Sequence, residues 1–236
     1  MNGYFDIPSD LQHSYGGLIA VHLQEALVPV LVGLLLALPI GLLCVHFEWL
    51  YPPLLWTSTV LYAVPSIAFF VVLIDYTGLT QLTVMIPLCL YSLVVLVPAV
   101  VDGIRSVPEE TNAAASAMGI GLARRYLQVQ LPIAVPAITA GLRVAVASSI
   151  SLVSVGALIG NQGGLGNLLT TAQLYHRPRL AVTSVVTTAL LAIVIDALLV
   201  LLRRVLTPWE PPSARAAHGS GATTAAPSAR TPDGVS

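Results

Sequence analysis

The sequence predicts an all-α integral membrane protein, with five transmembrane helices and one long polar loop. Three observations carry that expectation. Of 236 residues, 56% are apolar and 9% charged, with a mean hydropathy of +0.85, whereas a soluble domain holds about a quarter charged residues. Charge is absent from 26–47, 49–74, 76–101 and 144–176, and 180–202 contains only Asp196. Much of the remaining polarity gathers in one internal loop, about 104–135, and in the tail.

A helix crosses a bilayer with about 20 apolar residues, which places the spans at about 24–46, 53–74, 83–103, 136–159 and 181–202. Backbone groups cannot stay unpaired in hydrocarbon, and the runs are too long and too apolar for barrel strands, so each span should be helical. Residues 1–23 precede the first span as an extracytoplasmic segment. They offer no basic n-region and no small-residue cleavage site, which argues against a removed signal peptide. The second span carries Pro65 and the third Pro87 and Pro98, each expected to kink its helix. Arg143 lies a turn or two inside the fourth span, and Asp196 well inside the fifth. Such charges face a bundle interior or a water-filled path. Arg143 is expected to snorkel to the interface, and Asp196 to pair with it or with Arg203. Glu25 and Asp75 fall near span ends, where interfacial solvation is expected. The tail, 207–236, is rich in Pro, Ala, Ser, Thr and Gly and reads as a disordered cytoplasmic end.

Orientation follows the Arg residues. Arg105, Arg124, Arg125, Arg203 and Arg204 fall on one side of a five-span chain, Arg177 and Arg179 on the other. Five against two puts the N-terminus outside and the C-terminus in the cytoplasm.

All ten basic residues are Arg, and Lys is absent. No Gly-x-x-x-x-Gly-Lys-Ser/Thr phosphate loop can exist, so the chain cannot hydrolyse ATP by that route, and Schiff-base chemistry is closed to it. A net charge of -1 with scattered Arg argues against nucleic acid as a partner. Cys44 and Cys89 sit in apolar runs and read as buried thiols. His13, His22, His46, His176 and His218 show no metal-ligand spacing and are expected to be structural or exposed. No metal site and no cofactor are expected in this chain.

The internal loop carries the informative chemistry. Ser106-Val107-Pro108-Glu109 matches a Ser-x-x-Glu capping box, which predicts a helix start. Ala113, Ala114, Ala115 and Ala117 leave that helix nearly without side-chain bulk on one face, and Gly119 and Gly121 interrupt it. A second short helix, about 122–130, should end before Pro132. The Ala-rich face would let another protein approach closely. A plain amphipathic connector between spans is the other reading of the spacing.

Ala113-Ala114-Ala115-Ser116-Ala117-Met118-Gly119, then nine residues to Val129-Gln130-Leu131-Pro132, resembles the Glu-Ala-Ala-x-x-x-Gly-x9-Ile-x-Leu-Pro loop. That loop marks permease subunits of binding-protein-dependent ATP-binding cassette importers. The resemblance extends to His22-Leu23, Val64-Pro65-Ser66-Ile67-Ala68, Tyr91-Ser92-Leu93, Gly141-Leu142-Arg143, Ala157-Leu158-Ile159-Gly160 and Gly163-Gly164-Leu165-Gly166, covering roughly 15–208. These motifs are most similar to the quaternary-amine and proline branch: permeases for osmoprotectants such as glycine betaine, choline, carnitine or proline betaine. Two departures stand out. Ala113 occupies the family's acidic position, so either Glu109 or Glu110, about one turn upstream on the same face, substitutes for it, or this subunit couples more weakly. His46-Phe47-Glu48 replaces the usual basic residue after the first span.

The resemblance implies the type I importer permease fold, like that of methionine importers, with the loop as a coupling helix. It implies an ATP-binding cassette ATPase dimer that binds ATP and Mg, a second permease subunit (this chain or a paralogue), and an extracytoplasmic substrate-binding protein, all at the bacterial cytoplasmic membrane. Glu109, Glu110, Ala113, Ala114, Ala115, Gly119, Leu131 and Pro132 would form the ATPase-coupling loop. Gly160, Gly163, Gly164 and Gly166 would meet the binding protein, since glycine permits close backbone approach. Tyr62, Phe69 and Tyr91 could line a path for a cation, although lipid-facing or packing roles are the commoner use, and no substrate ligands are assigned. The same architecture also serves methionine and other amino acids. A gradient-driven transporter would need paired midplane carboxylates or an inverted repeat, and a membrane enzyme a nucleophile–base or metal set such as His-Glu-x-x-His. The sequence contains neither.

Overall fold

The helices follow the uncharged runs, and small residues decide how they meet. The computed structural model describes residues 15–160 and 163–208. It contains α1 (Tyr15–His46), α2 (Tyr51–Ala63), α3 (Ser66–Thr77), α4 (Gln81–Arg105), α5 (Glu109–Ala117), α6 (Leu122–Arg125), α7 (Leu131–Gly156), α8 (Gly166–Leu174) and α9 (Pro178–Leu206). A π turn, Tyr126–Gln130, joins α6 to α7, and a 3-10 turn carries the same rod on to Ile159. Leu122–Ile159 is thus a continuous rod of 38 residues.

α4 lies between α1 and α7 and touches both at glycine. On α1, Gly33, Ala37 and Gly41 recur every fourth residue on the buried stripe. A Cβ at Gly33 would strike the Ser92 hydroxyl, and one at Gly41 would lie 2.5 Å from Val100 Cγ1. On the other side, a Cβ at Gly141 would lie 2.5 Å from Ala99 Cβ, and one at Gly156 would lie 2.7 Å from Val84 Cγ2. Lipid tails are as apolar as Leu, so helices in a membrane gain by close van der Waals approach, which small residues allow. Ser149 Oγ on α7 adds a hydrogen bond to the Ala26 carbonyl of α1, at 2.8 Å.

These contacts also set directions. Gly33 meets Ser92 and Gly41 meets Val100, so α1 and α4 run parallel. Gly141 meets Ala99 and Gly156 meets Val84, so α7 runs antiparallel to them. Tyr15 bonds Thr187, and Leu27 and Leu31 share a cleft with Ile195 and Leu198, so α9 is parallel to α1. A chain that re-enters in the same direction must have crossed back in between. The bent pair Glu48–Ala63 and Ser66–Thr77 therefore serves as the second span and brings the number to five. Arg105, Arg203 and Arg204 sit at one end of the bundle, while Arg177 and Arg179 sit at the other, as the charge count requires.

The differences from expectation lie where local signals met tertiary constraints. α1 already includes 15–23, ahead of the expected boundary at 24. Pro65 does more than kink span two: its two halves meet at 91°. Val64 is extended (φ -71°, ψ 126°), as the residue before proline prefers to be, and Pro65 then starts α3. Pro87 and Pro98 by contrast lie inside the unbroken α4. The predicted tail lies outside the described residues, apart from Thr207 and Pro208. α9 presents Val182, Val185, Leu190, Ile193, Val194 and Leu198 outward, and of its residues only Ser184 is buried. Such a face suits lipid or another subunit.

Gly41→Ile should lower thermal stability in detergent, because β-branched Val100 cannot step aside; overpacking of this kind costs about 1–3 kcal/mol. Gly121→Ala is the matched control, since its φ is -62° and open space surrounds it. Equal melting temperatures for the two variants would contradict this packing.

Candidate functional site

Three features separate along the bundle: a helical hairpin at one end, a buried clamp at the other, and a broken helix beside a cavity between them.

The hairpin is built from α5 and α6. Pro108 sits at the N-cap of α5, and Thr111 and Asn112 donate their amides to its carbonyl. The expected capping box does not form. Ser106 still belongs to the end of α4, where its Oγ donates to the Gly103 carbonyl at 2.7 Å. Glu109 and Glu110 remain in the first turn, exposed, where the helix dipole favours acids. α5 ends in a Schellman cap. The Ile120 amide donates to the Ala115 carbonyl and the Gly119 amide to the Ser116 carbonyl, with Gly119 left-handed at φ +73°. The separate second helix does not exist either: 122–130 runs straight into span four. Leu131 donates its amide to Tyr126, five residues back, and this π register lets the rod pass Pro132, which has no amide to give.

Side chains tie the hairpin to the rod. Gln130 Nε2 donates to Asn112 Oδ1 at 2.7 Å, and Arg125 donates to Ser116 Oγ. Ala115 is buried, while Ala113, Ala114 and Gly119 are exposed and Leu131 and Pro132 half-buried at the root. The sequence motif missed Met118, which projects from the tip at 71% exposure, and its neighbour Leu122. Their signal was available: apolar residues flanking a helix-ending Gly in a loop otherwise poor in bulk. The tip is therefore small-residued and apolar, with Glu109 and Glu110 at the other end of α5.

At the opposite end, residues 163–166 are held by the bundle itself; residues 161 and 162 lie outside the described residues. Leu165 is fully buried, donates its amide to His22 Nδ1 at 3.2 Å, and accepts from Ser184 Oγ at 2.7 Å. His22 Nε2 donates to the Ile150 carbonyl at 3.0 Å, so both ring nitrogens are engaged and the neutral tautomer is defined. Gly164 (φ +68°) passes directly over His22, and a Cβ on Gly163 would lie 2.5 Å from Glu25 Oε1. Gly166 fits against Ala157 and Ser154. The close approach permitted by Gly163, Gly164 and Gly166 is thus to α1 and α7, with Gly160 left exposed. Glu25, expected at a solvated span end, is fully buried, because α1 begins earlier and the loop folds over it.

Between these ends, Arg143 does not snorkel. It forms a two-pronged pair with Asp196, Nε to Oδ1 at 2.6 Å and Nη2 to Oδ2 at 2.7 Å, which links α7 to α9. Tyr62, Phe69 and Tyr91 converge at the break in span two. Tyr91 donates its hydroxyl to the Val64 carbonyl at 3.2 Å, and both other rings lie 6.3 Å from its centroid. Cys44 and Cys89 are free thiols, buried and half-buried. No three potential metal ligands cluster among the described residues.

Residues 30–210 match the model of the binding-protein-dependent transport system inner membrane component. The chain belongs to that family. This permease is 33% identical over 192 residues to the osmoprotectant import permease protein OsmW of Salmonella typhimurium, covering 79% of this chain and 89% of the relative. It is 29% identical to the choline transport system permease protein OpuBD of Bacillus subtilis, over 84% of this chain and 87% of the relative. It is 28% identical to the glycine betaine/carnitine/choline permease protein OpuCD of the same organism, over 79% and 82%. Its fold matches an inward-facing structure of the MetNI methionine ABC transporter with a TM-score of 0.71 at 19% identity, over 80% of this chain and 94% of that one. This is the type I importer permease fold.

For this permease, Asp196→Leu should lower the melting temperature by leaving Arg143 unpaired in the membrane. Adding Arg143→Met should restore it. A double variant no more stable than the single one would show that the pair is incidental.

Proposed function

We propose that the chain is the membrane-spanning subunit of an ATP-driven importer for a quaternary-amine osmoprotectant such as glycine betaine, choline or carnitine. The observation that carries the cargo is its similarity, over about four-fifths of its length, to permeases named for those substrates. Methionine remains the architectural alternative, and the likeness to the methionine transporter bears on fold alone.

Energy comes from a partner, an ATP-binding cassette ATPase dimer that binds ATP and Mg, since a chain without Lys cannot build the phosphate loop. The α5 hairpin docks on that ATPase through Ala113, Ala114, Gly119 and Met118, with Ala115, Leu131 and Pro132 forming its root. Glu109 and Glu110, at the first turn of α5, supply the negative charge that Ala113 lacks. Because the hairpin is tied to Gln130 and Arg125 of the 38-residue rod, a push at its tip tilts α7 as a rigid body. The far end of that rod carries the 160–166 loop and, through His22, α1. Exposed Gly160 lies there on the face offered to an extracytoplasmic binding protein. A second permease subunit, a copy or a paralogue, completes the path. The hairpin end is cytoplasmic by its Arg content, which puts Tyr15 outside and the C-terminus inside.

Proteoliposomes holding the permease, its ATPase and its binding protein should take up radiolabelled glycine betaine or choline only with ATP. Unlabelled quaternary amines should compete and methionine should not. Competition by methionine alone would overturn the cargo. Gly119→Val should abolish uptake without preventing membrane insertion: a side chain in the left-handed region costs about 1–2 kcal/mol and unwinds the cap that shapes the tip. Full uptake by this variant would mean that the hairpin is only a connector.

A further inference from the structure

The break at Val64 and Pro65 opens on a cavity of about 310 Å³, lined by residues of α2, α3, α4 and α7. Small-molecule sites begin at about 300 Å³, which suits a small amine. Two aromatic rings line it. Tyr62 comes from the end of α2 and Tyr91 from α4, and they stand nearly perpendicular at 87°. Phe69 backs Tyr91 from α3. The polar lining consists of hydroxyls: Ser66, Ser92, Ser148 and Ser149. Ser92 and Ser149 are committed to backbone carbonyls. No Asp, Glu, Arg or His lines the cavity.

That lining selects a chemistry. A metal ion or a primary ammonium, strongly hydrated, would need carboxylates or many oxygens to replace its water. A quaternary ammonium sheds its water cheaply, since its charge is spread over methyl groups, and aromatic faces attract it. Without a carboxylate to trap it, binding stays shallow, as a transport path requires. We propose that this cavity is a transient site for the quaternary ammonium group in mid-membrane, with the rings of Tyr62 and Tyr91 as its cation-binding surface. This rests on the osmoprotectant reading. Any anionic or hydroxyl end of the cargo lies toward Ser66 and Ser148. The site is made by the helix break: a continuous span two would carry Tyr62 and Ser66 on one rod, instead of folding one half away from the other at 91°.

The test is made on the complete transporter in proteoliposomes with saturating, substrate-loaded binding protein, recording substrate carried per ATP hydrolysed. Tyr62 is 61% exposed within the chain, so its replacement leaves the core intact. Tyr62→Leu should lower the ratio for choline by roughly threefold to thirtyfold, the worth of a lost cation–π contact, while hydrolysis continues. Tyr62→Phe should restore it. Tyr91→Leu should act in the same direction. An unchanged ratio in both Leu variants, or hydrolysis and uptake falling together, would overturn the site while the wild type still transports choline. A wild type that transports no quaternary amine would overturn the cargo assignment and this site with it.

Discussion

The close approach of α1, α4 and α7 is the constraint on which the rest of the molecule depends. In hydrocarbon, burying a leucine against a leucine gains little, so a bundle must be held by contact between backbones and by hydrogen bonds. Gly33 and Gly41 let α1 lie against α4, and Gly141 and Gly156 let α7 lie against its other side. α2, α3 and α9 pack around these three, with polar contacts that include Tyr91 to the Val64 carbonyl, Arg143 to Asp196, and Ser184 to Leu165.

The same frame joins distant ends. The 38-residue rod begins at the polar hairpin and ends at the loop clamped by His22. Its π turn, which passes Pro132, is placed where the side chains of Arg125 and Gln130 fasten the hairpin. A displacement of α5 is therefore applied to a rod that stays helical from Leu131 to Gly156, with Pro136 inside it. Among the described residues, the positive-φ glycines fall outside it, at Gly78 and Gly119 before the rod and at Gly160 and Gly164 after it.

Some of this was legible in residues alone. The Ala-rich helix, its stop at Gly119 and the parity of the Arg residues all follow from local chemistry. The capping box failed because Ser106 still belongs to the end of α4 and α5 starts only at Glu109 with Pro108 at its N-cap, so the Ser106 hydroxyl stands two residues too early to accept from the first-turn amides. The end of a second helix before Pro132 failed because a proline in a helix is excluded only while the register stays at four residues. Glu25 was misplaced for a different reason: hydropathy marks where charge is, and says nothing of what folds over it.

The sequence by itself determined the five apolar runs, the absence of a phosphate loop and the helical hairpin, because each depends on residues within a few turns of one another. Tertiary structure alone decided that Pro65 breaks span two through a right angle, that His22 holds a loop 143 residues away, and that Asp196, for which the sequence offered Arg143 or Arg203, receives the two-pronged grip of Arg143, 53 residues before it. No local pattern encodes such pairs. A polar side chain in a membrane takes whichever partner packing brings within reach, and packing here is set by where glycine lets two helices touch.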